Sequence, residues 1–255
     1  MHNSLFSLEG KIIIITGAGR GIGEFLAINL ANHGAFVYRI DKKFNKITKR
    51  PTNMFSKLCD ITDEKKFENI CSDIFKQHKR IDVLVNNAGI TLPVSSSKTY
   101  PKKGWDETLK INLSSAFHVS QIVIKYMVKK KKGSIINITS INAEFGFPNN
   151  PAYVASKGGL KQLGKALARD WGKYGIRVNN LGPGYIKTDM TMESFRNRKK
   201  RTVREDCTML GRWGEVKDLL GPCIFLASDA SDYVTGQDVY VDGGWSANGL
   251  PIGNN

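Results

Sequence analysis

The chain of 255 residues is predicted to fold as a doubly wound parallel α/β sheet with helices on both faces, and three features of the sequence carry that expectation. The run Ile12-Ile13-Ile14-Ile15 is β-branched throughout and too short for a helix, so it reads as a strand buried on both faces. The turn Thr16-Gly17-Ala18-Gly19-Arg20-Gly21-Ile22-Gly23 follows at once and opens a helical pattern of small and apolar residues. From there to the end, buried-strand runs alternate with amphipathic helical stretches, as right-handed crossovers require. The fold class is therefore a single Rossmann-type sheet. No linker, repeat or low-complexity tract interrupts it, and residues 1–255 are expected to form one domain with a substantial core.

A strand, a glycine turn and a helix N-terminus together make an anion site. Main-chain N–H groups and the positive end of the helix dipole point at whatever docks there, and missing Cβ atoms let a pyrophosphate approach. The alternative is a tight strand-to-helix turn without a ligand. The glycine spacing is not the Gly-x-Gly-x-x-Gly fingerprint, and no Gly-Lys-Ser/Thr follows, so the turn is not a P-loop.

Composition excludes several classes. No apolar stretch approaches the ~20 residues of a membrane span, and no apolar signal core opens the chain, so a cytoplasmic protein without a membrane partner is expected. Cys59, Cys71, Cys207 and Cys223 are scattered, which argues for reduced thiols and against a disulfide framework or a metal site. The net charge of +15 invites a nucleic-acid reading. Its lysines, however, lie in short runs at expected loops and helix ends, without the interleaved aromatics of a stacking platform, so no specific nucleic-acid partner is expected.

The second strand, Phe36 to Ile40, ends in Asp41. A carboxylate there can accept both hydrogen bonds of an adenosine ribose diol and repels a 2′-phosphate, which favours NAD over NADP. Lys42, Lys43 and Arg20 could offset that repulsion, and a plain turn or helix N-cap is the alternative role for Asp41. The third strand spans about Asn53 to Leu58 and leads to Asp60 and Ile61. Thr62 or Asp63 can cap the next helix. The fourth strand, Ile81 to Val85, runs into Asn86-Asn87-Ala88-Gly89, small residues suited either to a ligand's approach or to a turn. Trp105 to Lys132 reads as one long helical stretch with Asn112 inside it, where a buried amide needs partners or bends the helix around a water.

The fifth strand, from Gly133, delivers Ser140 to the same sheet edge. Tyr153 and Lys157 then fall on one face of a helix, about 6 Å apart in rise. Ile176 to Leu181 reads as a sixth strand broken by Gly182-Pro183-Gly184. Residues 189–210 lack a clean period and are dense in charge, as a lid would be. Val216 to Ala227 is helical in pattern, and Gln237 to Gly244 a last strand.

Hydride transfer between an alcohol and a nicotinamide needs a group that removes the hydroxyl proton. His2, His33, His78 and His118 fall at the N-terminus or on helix surfaces. Tyr153 can serve if its phenol ionises, and a lysine ammonium ~6 Å away at an effective dielectric of about 20 lowers a phenol by ~2 pKa units. Ser140 would hydrogen-bond the substrate oxygen, and Asn112 could hold a water linking Lys157 to solvent. Separately, each of these residues has an ordinary structural role.

Together, from Gly10 to Gly244, the motifs resemble the short-chain dehydrogenase/reductase family. Those motifs are Thr16 to Gly23, Asp60, Asn86-Asn-Ala-Gly89, Asn112, Ser140, Tyr153-x-x-x-Lys157, Asn179-x-x-x-Pro183-Gly184, Thr188 and Val241-Asp-Gly-Gly244. The resemblance implies a catalytic tetrad of Asn112, Ser140, Tyr153 and Lys157. It also implies cofactor contact along Gly17, Gly19, Arg20, Ile22 and Gly23, at Asp41, Asp60, Ile61, Asn87, Ala88 and Gly89, at Tyr153 and Lys157, and at Gly184, Ile186 and Thr188. Lys157 would hold the nicotinamide ribose. Family members commonly form homotetramers through helices corresponding to Trp105–Lys132 and Tyr153–Lys173.

The stretches Gly184 to Thr191, Leu210 to Gly214 and Asp242 to Leu250 are similar to gluconate 5-dehydrogenase-like members, which implies a small-molecule substrate among sugars, sugar acids and polyols. Residues 189–212 would be the substrate lid, and its cations Arg196, Arg198, Lys199, Lys200, Arg201 and Arg204 could steer an anion, the alternative being a plain solvated basic helix. An NADPH-dependent 3-oxoacyl-carrier-protein reductase fits the same motifs. A dinucleotide-binding module without catalysis is the alternative outside enzymes.

Overall fold

A computed structural model describes residues 5–48, 50–92 and 95–248. Seven parallel strands lie in the order β3-β2-β1-β4-β5-β6-β7: β1 (Ile12–Thr16), β2 (Phe36–Asp41), β3 (Met54–Leu58), β4 (Val83–Asn86), β5 (Gly133–Ile138), β6 (Ile176–Pro183) and β7 (Asp238–Val241). The order reverses between β1 and β4, which opens a crevice at their carboxyl ends.

Successive β1 residues feed opposite cores. Ile12 and Ile14 pack with α2 (Glu64–His78), α4 (Ser115–Met127) and α5 (Pro151–Trp171), while Ile13 and Ile15 pack with α1 (Gly21–Asn32) and α8 (Leu220–Ala227). This two-sided burial explains why the strands read as continuous apolar runs. At the head of α2 it is Asp63 that caps, its side chain accepting from the Lys66 N–H at 3.0 Å. Among the described residues no helix is long and apolar enough to cross a membrane.

Four expectations need correcting or refining. The fourth strand begins at Val83 rather than Ile81 and runs on to Asn86. The stretch from Trp105 is continuously helical, as expected, but not uniformly α. It comprises α3 (Lys102–Leu109), a π turn over Lys110–Ser114 centred on Asn112, α4, and a 3-10 turn over Val128–Lys130. The Gly182-Pro183 pair does not break the sixth strand. Both residues pair with β7 (Gly182 with Tyr240, Pro183 with Val241), and proline is tolerated because it closes the ladder. The helical pattern from Val216 divides into a 3-10 turn, Val216–Leu219, and α8.

The lid region carries two short helices, α6 (Met192–Arg196) and α7 (Arg198–Asp206), neither with a buried residue. Asn197 caps α7 by accepting from the Lys200 N–H. Charge on every face of α7 leaves it without an apolar stripe to read.

Candidate active site

The glycine turn joins β1 to α1 at the switch point. Gly17 holds φ +63°, and a Cβ there would come 2.5 Å from the Ala88 Cα. Substituted Gly19 would strike the Lys43 carbonyl and the Asp41 carboxylate, and substituted Gly23 would strike Asn87. The space these three glycines free is thus taken by protein. Gly21, at φ +58°, is different: nothing lies within 4 Å of its would-be Cβ. The open side of the turn is there, a position that sequence reasoning passed over.

Two clamps hold the turn. Thr16 Oγ1 accepts from the N–H groups of Asn87 and Ala88, each at 3.2 Å, and Asn87 Nδ2 donates to the Thr16 and Gly17 carbonyls at 3.0 and 2.8 Å. On the other side, the Gly19 N–H donates to Asp41 Oδ2 at 2.8 Å, and the Lys42 N–H to Oδ1 at 2.7 Å. Asp41 therefore fills a turn role while presenting its charge beside the glycines. Asp60 lies next to it, paired with Lys42 at 3.0 Å. Burial pushes its carboxyl up, but the Thr62 N–H and the Lys42 ammonium outweigh this and hold it below the usual range. Ile61 is buried, Ile22 packs at the edge of the α1 core, and Arg20 is exposed.

The four tetrad positions come together at the carboxyl end of β5. Asn112, fully buried, accepts from the Ile90 N–H at 2.8 Å and donates to the Ile90 carbonyl at 2.9 Å and Ser156 Oγ at 3.0 Å. Ser156 in turn donates to the Tyr153 carbonyl at 2.8 Å. The Asn112 amide therefore pins the loop after β4 to the Tyr153 turn of α5. With both N–H groups committed, its side chain acts as a brace between the two segments. Gly89 lies inside this cluster: a Cβ on it would be 3.4 Å from Asn112 Oδ1 and 3.5 Å from Lys157 Nζ.

Ser140 follows β5 in extended conformation and caps a 3-10 turn, its Oγ accepting from the Asn142 N–H at 3.1 Å. A hydroxyl has one proton, so that acceptor contact leaves the Ser140 O–H free to donate. It is hydrogen-bonded to the Tyr153 phenol. Lys157 Nζ sits 5.7 Å from the Tyr153 ring centroid and donates to the Ile138 carbonyl at 2.7 Å.

Here the electrostatic expectation is corrected. Burial pushes the Tyr153 phenol up, and the Ser140 hydrogen bond only partly opposes it. Burial also pushes Lys157 down, to about 8. Desolvation acts on both groups and disfavours both charged forms, so the net direction for the phenol is up rather than down.

Gly184 lets the chain after β6 pass Asp242, since a Cβ there would lie 2.7 Å from its Cα. Ile186 is buried, and Thr191 Oγ1 ties the next turn by donating to the Ile186 carbonyl and accepting from the Thr188 N–H at 3.0 Å. A cavity of about 110 Å³ lies behind this turn, lined by Tyr185, Ile186 and Thr208 among others. None of the tetrad lines it, and it is smaller than the roughly 300–1,000 Å³ of most ligand pockets. His33, His78 and His118 contact Asn29, Tyr38 and Glu64, away from the tetrad, and His2 lies outside the described residues. No group of three or more His, Cys, Asp or Glu side chains among the described residues could hold a metal ion.

Residues 17–246 match a family model described as enoyl-(acyl carrier protein) reductase. Gluconate 5-dehydrogenase of Gluconobacter oxydans is 36% identical over 250 residues, covering 95% of this chain and 97% of that protein. The 3-oxoacyl-[acyl-carrier-protein] reductase of Thermotoga maritima is 36% identical over 244 residues, covering 93% and 98%. Among solved structures, a gluconate 5-dehydrogenase from Burkholderia cenocepacia in complex with NADP and tartrate superposes with a TM-score of 0.87 at 33% identity, covering 95% of this chain and 97% of that one.

Proposed function

The chain belongs to the short-chain dehydrogenase/reductase family and is an NAD(P)-dependent oxidoreductase acting on CH–OH groups, and on that premise we propose that it interconverts the secondary alcohol and ketone of a sugar acid or related polyol, with NAD preferred. The observation that carries the chemistry is the joining of Ser140, Tyr153 and Lys157 at one strand end, braced by Asn112. When bound, the nicotinamide supplies or accepts the hydride. Tyr153 exchanges the hydroxyl proton through its phenol oxygen, and the Ser140 O–H donates to the substrate oxygen as charge develops there. Lys157 would hold the nicotinamide ribose, and its ammonium places positive charge near the phenol.

The cradle suits a dinucleotide: the turn is open at Gly21, rigid through Thr16 and Asn87, and backed by the N-terminus of α1. Asp41 beside the turn favours a ribose diol. Lys42, one of the cations that could offset its repulsion of a 2′-phosphate, is already paired with Asp60. The remaining named positions from Gly17 to Gly23, 60–61, 87–89, 184, 186 and 188 are proposed to line the cofactor. Residues 189–212 are proposed to cover the substrate, and α4 and α5, where Phe117 is 37% exposed, to form tetramer faces. The four cysteines are free, which supports work in a reducing cytoplasm.

Oxidation of gluconate and reduction of its keto acids, of neutral ketoses and of acetoacetyl thioesters, each followed by nicotinamide absorbance with both cofactors, tests the reading. Fastest turnover of a sugar acid with NAD supports it. The second reading, a 3-oxoacyl-carrier-protein reductase, is favoured by the Thermotoga maritima relative and would show as preferred thioester reduction with NADPH.

A further inference from the structure

The ends of three adjacent strands, β5, β6 and β7, are each followed by an aromatic residue, and the three rings form one wall of contacts at the carboxyl edge of the sheet. Phe145 lies in the loop that begins at Ser140, Tyr185 follows Gly184 after β6, and Trp245 follows Gly244 after β7. Phe145 meets Trp245 edge-on at 5.0 Å, Trp245 meets Tyr185 at 6.2 Å, and Tyr185 meets Trp213 at 5.3 Å. The lid adds a cation to this wall. The Arg204 guanidinium lies 4.4 Å from the Tyr185 ring centroid and 5.5 Å from that of Trp213.

Arg204 stands apart from the other lid cations. Arg196, Arg198, Lys199 and Lys200 are exposed, and Arg201 faces Glu205 at 3.8 Å. Arg204 turns inward on α7, is half-buried, and forms no ion pair among the described residues. Its contacts are to Ser194 Oγ and the Tyr185 hydroxyl, both neutral, which occupy two of five N–H donors. A partly desolvated guanidinium held by neutral groups is short of a counter-anion, and its planar fork matches a carboxylate.

We propose that Arg204 binds the carboxylate of the substrate, while the aromatic wall from Tyr185 through Trp245 to Phe145 takes the C–H face of its carbon chain and directs the carbinol carbon toward Ser140. The proposal rests on the sugar-acid reading and deepens it. An aromatic face accepts the apolar C–H side of a polyol and leaves the hydroxyl edge to polar partners. The cation at one end of the wall and the Ser140 loop at the other give such a molecule a single direction.

The test titrates gluconate and sorbitol, an acid and a neutral polyol of the same carbon count, into cofactor-saturated enzyme, following quenching of tryptophan fluorescence. Wild type, Arg204→Gln and Arg204→Lys are compared. Loss of a charge-assisted pair is expected to reduce the preference for gluconate, read as the ratio of the two dissociation constants, by about tenfold to a hundredfold in Arg204→Gln. Arg204→Lys, which keeps the charge and most of the packing but not the fork, should fall between, and it decides the matter if Arg204→Gln does not fold. An unchanged ratio in variants of an enzyme that binds gluconate overturns the role of Arg204 and leaves the sugar-acid reading standing. Wild-type enzyme that neither binds gluconate nor turns over its keto acids removes that reading, and this proposal with it.

Discussion

Lys157 and Ile138 are joined by a 2.7 Å hydrogen bond in which a buried side-chain nitrogen donates to the last carbonyl of β5. The bond fixes the lysine beneath the strand end that carries Ser140, in surroundings that bring its ammonium down to about 8. Two consequences for pH follow. In catalysis, a step that needs the ammonium loses it as pH rises, so kcat/KM should fall through about 8 in the free enzyme. In folding, the unfolded chain holds this proton up to the ordinary lysine value of 10.5, above the folded one. Between about 8 and 10.5 the unfolded state binds more protons, and stability rises with pH. Below 8 the cost of the buried charge is fully present, roughly 3 kcal/mol. Lys157→Met should therefore be stabilised relative to wild type most strongly near neutrality. Urea unfolding of both proteins across that range measures the difference, and a gap that does not narrow as the pH rises contradicts it.

Ser140 opposes the effect of burial on the Tyr153 phenol. Tyr153→Phe is expected to lose about 10²–10⁴-fold in turnover, as removal of a general acid–base does, while cofactor affinity moves little. Ser140→Ala should push the phenol's own titration further up, because the phenol loses its hydrogen-bond donor, while the fall through about 8 that belongs to Lys157 stays where it is. Stopped-flow turnover and cofactor fluorescence titration separate these effects. Retained turnover in the phenylalanine variant would remove tyrosine from proton transfer.

Asp41 places a negative charge beside the glycine turn, where one unit charge repels another ~5 Å away by about 3 kcal/mol at an effective dielectric of about 20. Asp41→Ala should raise kcat/KM with NADP by tenfold or more and lower it with NAD. It also removes the acceptor for the Gly19 N–H, so a small loss of thermal stability is expected alongside. Wild-type preference for NADP would show that this charge does not decide the choice.

Gly21→Ala adds a methyl that meets no protein atom within 4 Å, at a residue with φ +58°. The left-handed backbone costs roughly 1–2 kcal/mol, and the methyl projects into the open side of the turn. Cofactor affinity should fall more than stability does. Gly17→Ala, which would crowd Ala88, should reverse that order. Calorimetry of binding and thermal melts of both variants test the contrast.

Much of the site was legible because its chemistry is written in short spacings. Tyr153 and Lys157 lie one helical turn apart and stand together wherever that helix forms. Asp63 capped α2 from the sequence pattern alone, with Thr62 the alternative that structure removed. Other features were hidden because they depend on segments distant in sequence. The π turn around Asn112 arises where its amide is bonded to Ile90 and Ser156, and nothing in residues 105–132 announces those partners. The identity of the open glycine was equally unreadable, since Gly17, Gly19 and Gly23 are filled by Ala88, Lys43 and Asn87 from other loops.

By itself the sequence determined the strand runs, the glycine turn and the order of the chemical groups along the chain, for those follow from periodicity and spacing within a few residues. Tertiary structure alone decided the directions in which Tyr153 and Lys157 shift, and which of the lid cations turns inward onto Tyr185. Desolvation and charge pairing are properties of what surrounds a group, and those surroundings come from strands and loops that meet only when the sheet closes.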